Sequence, residues 1–246
     1  LEYPDCTGAE LAFLAAYGSP EPPTQVLELA TGTGRVAFAL AQLGYEVTGI
    51  DISESMLDRA HAQQDEAPIE VANLLTFTHA DMAGFELDGE FDLVLAAFNA
   101  LLLLPDAAAR SGCLEASLRH LRPGGWFVAD LFAANELDRT PDHEIVEFLE
   151  TDPVSGQRVT RERFYSYDTS SDRGQSHLIY RLYDTNGQIS EKLELGYSLA
   201  LLSHDVVVEE VRTAGFADIT TYGNHDGTPW TPDSPNLLVC GRRPHC

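Results

Sequence analysis

The stretch Val26-Leu27-Glu28-Leu29-Ala30-Thr31-Gly32-Thr33-Gly34-Arg35-Val36 narrows the choice of fold more than any other part of this 246-residue chain. Val26 to Leu29 is a short apolar run and reads as a buried parallel strand. Val36 to Leu43 reads as the helix that follows it. Two glycines one residue apart stand between them. Glycine turns the chain sharply and lets a ligand lie against backbone with no Cβ in the way. The helix start leaves unpaired N–H groups and a partial positive charge facing whatever binds there. Such a turn cradles a nucleotide or a related cofactor.

The rest of the chain alternates between the two periods. Thr7 to Tyr17 carries Leu11, Leu14 and Ala15 at helical spacing, and Gly18 and Pro20 stop it. Glu46 to Ile50 is a strand ending at Asp51, and Ser53 caps a helix running to about Glu66. Leu74–His79 is a third strand, closed by Asp81, and Phe91–Ala97 a fourth, closed by Phe98-Asn99. A helix from Asp106 to Leu121 leads through the turn Leu121-Arg122-Pro123-Gly124-Gly125 into a fifth strand, Trp126 to Leu131. This order predicts a parallel sheet wound on both faces. After Phe132 the pattern becomes alternating over Arg158–Tyr167, Gln175–Tyr183 and Ile189–Leu199, with turns at Gly174 and Asn186-Gly187, which predicts an antiparallel meander. Ser203 then caps a helix (Asp205–Ala214), and two last strands follow, Asp218–Tyr222 and Leu237–Gly241. The expected organisation is an α/β cofactor domain of residues 1–132 and 201–246, with an inserted sheet at 133–200.

Composition removes several classes of function. The formal net charge is −24 and Lys192 is the only lysine, so phosphate backbones are repelled and nucleic acid is not an expected partner. No run of about 18 apolar residues exists, and no membrane span is expected. No signal peptide is visible. Cys6, Cys113, Cys240 and Cys246 are scattered, with no C-x-x-C pair. Neither a metal site nor a disulfide framework is expected, and reduced thiols in a cytoplasmic protein are.

Gly32-x-Gly34-x-x-Ala37, with Asp51 nineteen positions after Gly32, also satisfies the dinucleotide fingerprint. A nicotinamide-dependent oxidoreductase is therefore one reading. Three features favour another cofactor. Asp81 closes the third strand, where a carboxylate can accept from an adenine amino group. The Leu121–Gly125 turn is absent from most dinucleotide-binding domains. The chain also ends in a strand pair joined by a long loop, with no separate substrate domain.

Leu27 to Arg35 resembles the glycine-rich motif of class I S-adenosylmethionine-dependent methyltransferases. Asp51 and Asp81 resemble the acidic residues after their second and third strands, and Leu121–Gly125 their turn before the fifth. The resemblance covers residues 25 to 131. One departure is Ala30-Thr31, where many members have Gly-Cys or Ala-Cys. The ending Phe216…Tyr222-Gly223…Asp226-Gly227…Pro232-Asp233-Ser234-Pro235 is similar to a bacterial branch of small-molecule N-methyltransferases with an inserted β-sheet, some acting on nucleotide-linked amino sugars.

The resemblance implies a Rossmann-like seven-stranded sheet, mostly parallel with the last strand antiparallel, plus the inserted antiparallel meander. It implies S-adenosylmethionine as cofactor, S-adenosylhomocysteine as product and a small-molecule acceptor. N-methylation of an amine is favoured over O-methylation, and a catalytically idle cofactor-binding protein is a further alternative. Ala30, Gly32 and Gly34 would let the methionine portion lie on backbone. Asp51 would accept both ribose hydroxyls, and Ile52 and Met82 would flank the adenine. Glu28, Arg35, Met56 and Phe98 complete the implied cofactor set. The plainer readings are a loop carboxylate for Asp51 and a turn cap over Met82–Gly84 for Asp81.

Ligands of open α/β sheets bind outside the carboxyl ends of the strands. The loop Gly223–Pro235, carrying Asn224, His225, Asp226, Trp230 and Asp233, would overhang that rim, and Tyr3 would fold over it as a lid. An amine must lose its proton before it attacks, and His225 or Asp226 would take it, with His225 favoured. Asn99 would be the polar side chain nearest the transferred methyl. The plainer readings are a structural hydrogen bond for His225 and an Asx turn for Asn99. In the insert, Arg158, Arg161, Arg163, Arg173 and Arg181 interleave with Tyr165, Tyr167, Tyr180 and Tyr183. They would attract an anionic substrate beneath a covering sheet, pair with Glu144, Glu147, Glu191 and Glu194 across strands, or form a homodimer face along an exposed edge.

Overall fold

The computed structural model describes residues 8–18, 24–134, 143–151 (backbone) and 158–245. Tyr3, Cys6, Cys246 and the side chains of Glu144 and Glu147 lie outside the described residues. The chain divides into two compact units, Leu1–Ala133 with Leu202–Cys246, and Ala134–Leu201.

The first unit begins with α1 (Gly8–Ala15), β1 (Gln25–Leu29), α2 (Arg35–Gln42), β2 (Glu46–Asp51) and α3 (Glu54–Glu66). It continues through α4 (Ile69–Ala72), β3 (Leu75–His79), β4 (Phe91–Ala96), α5 (Ala100–Leu103), α6 (Ala107–His120) and β5 (Leu121–Phe132). The second unit supplies β6 (His143–Thr151), β7 (Arg158–Asp168), β8 (Arg173–Tyr183) and β9 (Ile189–Ala200). The chain then returns to the first unit with α7 (His204–Thr213), β10 (Ala217–Tyr222) and β11 (Asn236–Arg242).

Seven strands form one sheet in the order β10-β11-β5-β4-β1-β2-β3. β1, β2, β3, β4 and β5 pair in parallel, and β11 runs antiparallel to both β5 and β10. This is the Rossmann-like, mostly parallel sheet with a reversed last strand that the sequence implies. β1 and β4 are buried on both faces, so their sequences are mostly apolar, and Val26, Leu27, Leu29 and Leu93 to Ala96 are all buried, with Glu28 a buried carboxylate among them. α2 covers one face with Val36, Ala37, Phe38, Leu40 and Ala41. α6 and α7 are joined by Arg110, whose Nε and Nη2 donate to Glu210 at 2.7–3.1 Å. Asp106 and Ser203 cap these two helices by accepting the N–H groups of Ala109 and Val206.

Chain order reverses at β1: the chain leaves it toward β2 and returns to its other side at β4. Such a switch point opens a crevice at the carboxyl ends of the two strands. The turn, the acidic strand ends and the β10–β11 loop all gather at that rim.

Three details differ from the sequence reading. Leu121–Gly125 is not a separate turn but part of β5, where the register against β4 jumps from Phe91–Leu121 to Leu93–Trp126. Gly124, at φ 83°, makes the bulge possible. The insert has a fourth strand, giving the antiparallel order β6-β7-β8-β9. His-Glu-Ile-Val-Glu-Phe-Leu-Glu-Thr places apolar residues side by side twice, which hides the period of two. The short helices α4 and α5 were also not anticipated; α5 is the Leu-rich run, with Leu101 and Leu102 buried.

Candidate functional site

The glycine turn holds three residues in the left-handed region: Ala30 at φ 52°, Gly32 at 59° and Gly34 at 87°. For Ala30 this costs about 1–2 kcal/mol, so the surroundings must impose it. The Thr31 N–H donates to Ile50 O at 2.9 Å, and the Gly34 N–H to Thr31 O at 2.9 Å. Thr31 Oγ1 donates to Glu28 at 2.6 Å. A Cβ on Gly49 would stand 2.7 Å from Thr31 Oγ1, so glycine on β2 makes room for the clamp.

The two cradle glycines serve different ends. A Cβ on Gly34 would meet the Phe38 ring at 2.9 Å and Phe77 at 3.1 Å, whereas a Cβ on Gly32 would meet nothing within 4 Å. Gly34 closes the core beneath the turn. Gly32 presents an open stretch of main chain.

Asp51 is joined directly to that stretch. Its Oδ2 accepts the Gly32 N–H at 2.8 Å and its Oδ1 the Ser53 N–H at 2.8 Å. Each carboxylate oxygen retains a lone pair for a further donor. Beside it stand large apolar side chains facing solvent: Ile52 is 65% exposed and Met56 39%. Met82 is half-buried, and the Asp81 Oδ1 caps its turn by accepting the Ala83 N–H at 2.8 Å. Exposed apolar side chains clustered at a strand end fit a planar ligand face.

Glu28 is buried behind the turn, and burial raises its pKa to about 7 against the lowering effects of Thr31 and Arg35. Arg35 forms a bidentate pair with buried Glu10 at 2.9 and 3.1 Å and lies over the exposed Phe98 ring at 5.1 Å. Phe98 and Asn99 are both left-handed, at φ 52° and 66°. Backbone strain at the end of β4 is of the kind that gathers at binding sites.

On the β5 side of the rim, His225 Nε2 lies 3.0 Å from Asp130 Oδ2. Asn99 joins the same knot: its N–H donates to Asp130 O at 2.8 Å, and its Oδ1 accepts the Phe132 N–H at 2.6 Å. Burial raises the Asp130 pKa, the His225 partner opposes this, Glu10 raises it and Arg35 lowers it. Arg35 thus acts on both Glu28 of β1 and Asp130 of β5, strands separated in the sheet by β4 alone. The Phe13 ring packs edge-on against His225 at 6.0 Å.

Asp226 does not join them. Its Oδ1 accepts the Thr228 N–H at 2.9 Å in an Asx turn, and those Thr228 hydrogen bonds lower its pKa, which weakens it as a base. Asn224 accepts the His225 N–H, and Trp230 stacks on His204 at 4.1 Å. Asp130 and Glu10 went unnoticed in the sequence. A carboxylate inside the apolar run Phe127-Val128-Ala129-Asp130-Leu131 is the signal that marks the first.

Within the insert, several arginines have partners in their own sheet. Arg181 pairs with Glu162, Arg158 lies over Tyr183 at 4.1 Å and Arg163 over Tyr165 at 5.5 Å, and Arg173 donates to Ser198 Oγ at 2.8 Å. Of the anticipated glutamates, Glu194 pairs with Lys192 and His177. No cluster of three or more metal-ligating side chains occurs among the described residues. Among the same residues, no helix is long and apolar enough to cross a membrane. Cys113 and Cys240 are buried free thiols, their pKa values pushed up to about 12 by burial.

A parallel sheet with one reversed strand, an open glycine turn and a strand-end carboxylate bonded to that turn form the cofactor cradle that the sequence implies for a methyltransferase. The methyltransferase-domain family matches residues 26–125, and the chain is a class I S-adenosylmethionine-dependent methyltransferase with an inserted antiparallel sheet. It is similar to the cypemycin N-terminal methyltransferase of Streptomyces sp, 26% identical over 94% of this chain and 88% of that protein. It is 36% identical to a ubiquinone biosynthesis O-methyltransferase of Pseudomonas aeruginosa over 41% of each chain. Among solved structures it resembles the glycopeptide N-methyltransferase MtfA complexed with S-adenosylmethionine, at 27% identity, a TM-score of 0.63 and coverage of 98% of this chain and 96% of that one.

Proposed function

We propose that this chain methylates an amine nitrogen of a small molecule, with His225 as the proton acceptor. The observation that carries the reading is the His225–Asp130 pair at the same carboxyl-end rim of the sheet as the open Gly32–Asp51 turn. S-adenosylmethionine supplies a methyl group already activated on a sulfonium. Gly32 and Asp51 would hold its amino-acid and ribose portions, and Ile52, Met56 and Met82 its adenine. Glu28, Arg35 and Phe98 would shape the floor and wall of the same cradle. The chain's main contribution is then orientation, worth up to roughly 7–11 kcal/mol in well-aligned reactions.

An amine that arrives as an ammonium must give up one proton, and an imidazole is suited to receive it near neutral pH. Asn99, fixed between β4 and β5, would position the acceptor. Of the two relatives cited above that span nearly the whole chain, MtfA is by name an N-methyltransferase and the other an N-terminal methyltransferase, which supports nitrogen over oxygen. The O-methyltransferase match covers less than half of either chain, and O-methylation is the second reading.

The test is incubation of the purified chain with methyl-tritiated S-adenosylmethionine and matched amines and alcohols, including amino sugars and peptide N-termini. Label transferred to amine nitrogen is expected. Transfer to hydroxyls alone, or S-adenosylhomocysteine binding with no transfer at all, would overturn the reading.

A further inference from the structure

We propose that Asp130 is a positioning residue that fixes the tautomer of His225, leaving Nδ1 as the atom that takes the acceptor's proton. This deepens the function proposed above and rests on it. An ionised carboxylate can only accept hydrogen bonds. With Asp130 Oδ2 3.0 Å from His225 Nε2, the neutral imidazole carries its hydrogen on Nε2 and its lone pair on Nδ1. Nδ1 has no hydrogen-bond partner among the described residues.

The pair is held from several sides. β5 fixes Asp130, whose carbonyl accepts the Asn99 N–H at 2.8 Å. Phe13 on α1 packs nearly perpendicular to the imidazole. The His225 N–H is tied to Asn224 within the β10–β11 loop. The charged groups acting on Asp130 are His225 itself, Glu10 from α1 and Arg35 from α2. Because Glu10 and Arg35 are paired with each other, the imidazole is the cation best placed to answer the Asp130 charge.

The step balances without a further reagent. The acceptor's ammonium nitrogen releases one proton to the Nδ1 lone pair and keeps its own electron pair. The positive charge moves to an imidazolium facing Asp130. This is the logic by which a base is oriented by a third group. It assigns catalysis to Nδ1, on the ring edge away from β5. It also gives Asp130 a reason to stand as a carboxylate inside an otherwise apolar strand.

The experiment is nitrogen-15 NMR of histidine-labelled chain, with the His225 signals assigned by their loss in His225→Gln, alongside kinetics of Asp130→Asn. The expected wild-type spectrum has the hydrogen on Nε2. In Asp130→Asn the hydrogen moves toward Nδ1, and kcat falls at least about tenfold while acceptor KM and S-adenosylhomocysteine affinity stay within about twofold. Asp130→Glu restores part of the rate. An Nδ1–H tautomer in the wild type, or an Asn variant with undiminished kcat, would overturn the assignment. If Asp130→Asn does not fold, the wild-type tautomer decides alone. An Nε2–H tautomer in a chain that methylates no amine would instead overturn the function proposed above and leave the orientation of His225 standing.

Discussion

One added methyl group at Gly32, compared with the same change at Gly34, separates the turn's role in binding from its role in folding. Gly32→Ala places a Cβ where nothing lies within 4 Å, at φ 59°. Its only cost in the unliganded chain is the left-handed backbone, about 1–2 kcal/mol. The same methyl stands on the open stretch of main chain beside Asp51, where a cofactor would lie against backbone. Losing one main-chain hydrogen bond there costs about 1–3 kcal/mol, a weakening of roughly 5- to 150-fold. Gly34→Ala has φ 87° and a Cβ 2.9 Å from Phe38 and 3.1 Å from Phe77. Overpacking adds about 1–3 kcal/mol to the backbone cost, so this variant is expected to lose roughly twice as much stability as the first. Urea denaturation reads the folding side and calorimetric titration with S-adenosylhomocysteine the binding side. A Gly32→Ala chain that folds and binds like wild type, or a Gly34→Ala chain as stable as wild type, would refute the reasoning.

Glu28 gives a pH signature. Its folded-state pKa is raised from 4.5 to about 7 by burial, so the stability it contributes is full below about pH 4.5 and is lost as pH rises through about 7. Glu28→Gln should flatten this decline, worth about 3 kcal/mol across the window, and melting curves from pH 4 to 8 would read it; an unchanged slope counts against the burial argument. Breaking the Arg110–Glu210 pair should also be costly, because Arg110 is largely buried and makes three contacts to the carboxylate. Arg110→Ala is expected to lose about 3–5 kcal/mol because it leaves the Glu210 carboxylate unpaired, and the double change Arg110→Met with Glu210→Leu much less, since apolar groups then replace both partners; equal melting temperatures for the two would contradict this.

Much of the parallel sheet is legible because β1 and β4 are short, mostly apolar runs and the elements alternate. Asp51 is legible for a local reason: it ends a strand at a fixed distance from the glycine turn. The acceptor side is harder to read. His225 and Asp226 are neighbours in a polar loop, and only the return of β10 and β11 to the sheet decides that one reaches β5 while the other caps a turn. Asp130 lies 95 positions from His225, inside a run whose apolar character reads as core. Local pattern shows neither the pairing nor the bulge at Leu121–Gly125, because both depend on which strands are neighbours in the finished sheet. The fourth strand of the insert is hidden for a simpler reason, since β6 lacks the alternation that β7, β8 and β9 have.

The most direct measurement is a calorimetric titration of S-adenosylhomocysteine into the wild-type chain and into Asp51→Ala. One saturable site per chain is expected in the first. In the second, losing two charge-assisted hydrogen bonds at about 1.5 kcal/mol each should weaken binding roughly a hundredfold. Equal affinity in the two chains, or no binding of S-adenosylhomocysteine where NAD binds, would contradict the assignment of this rim.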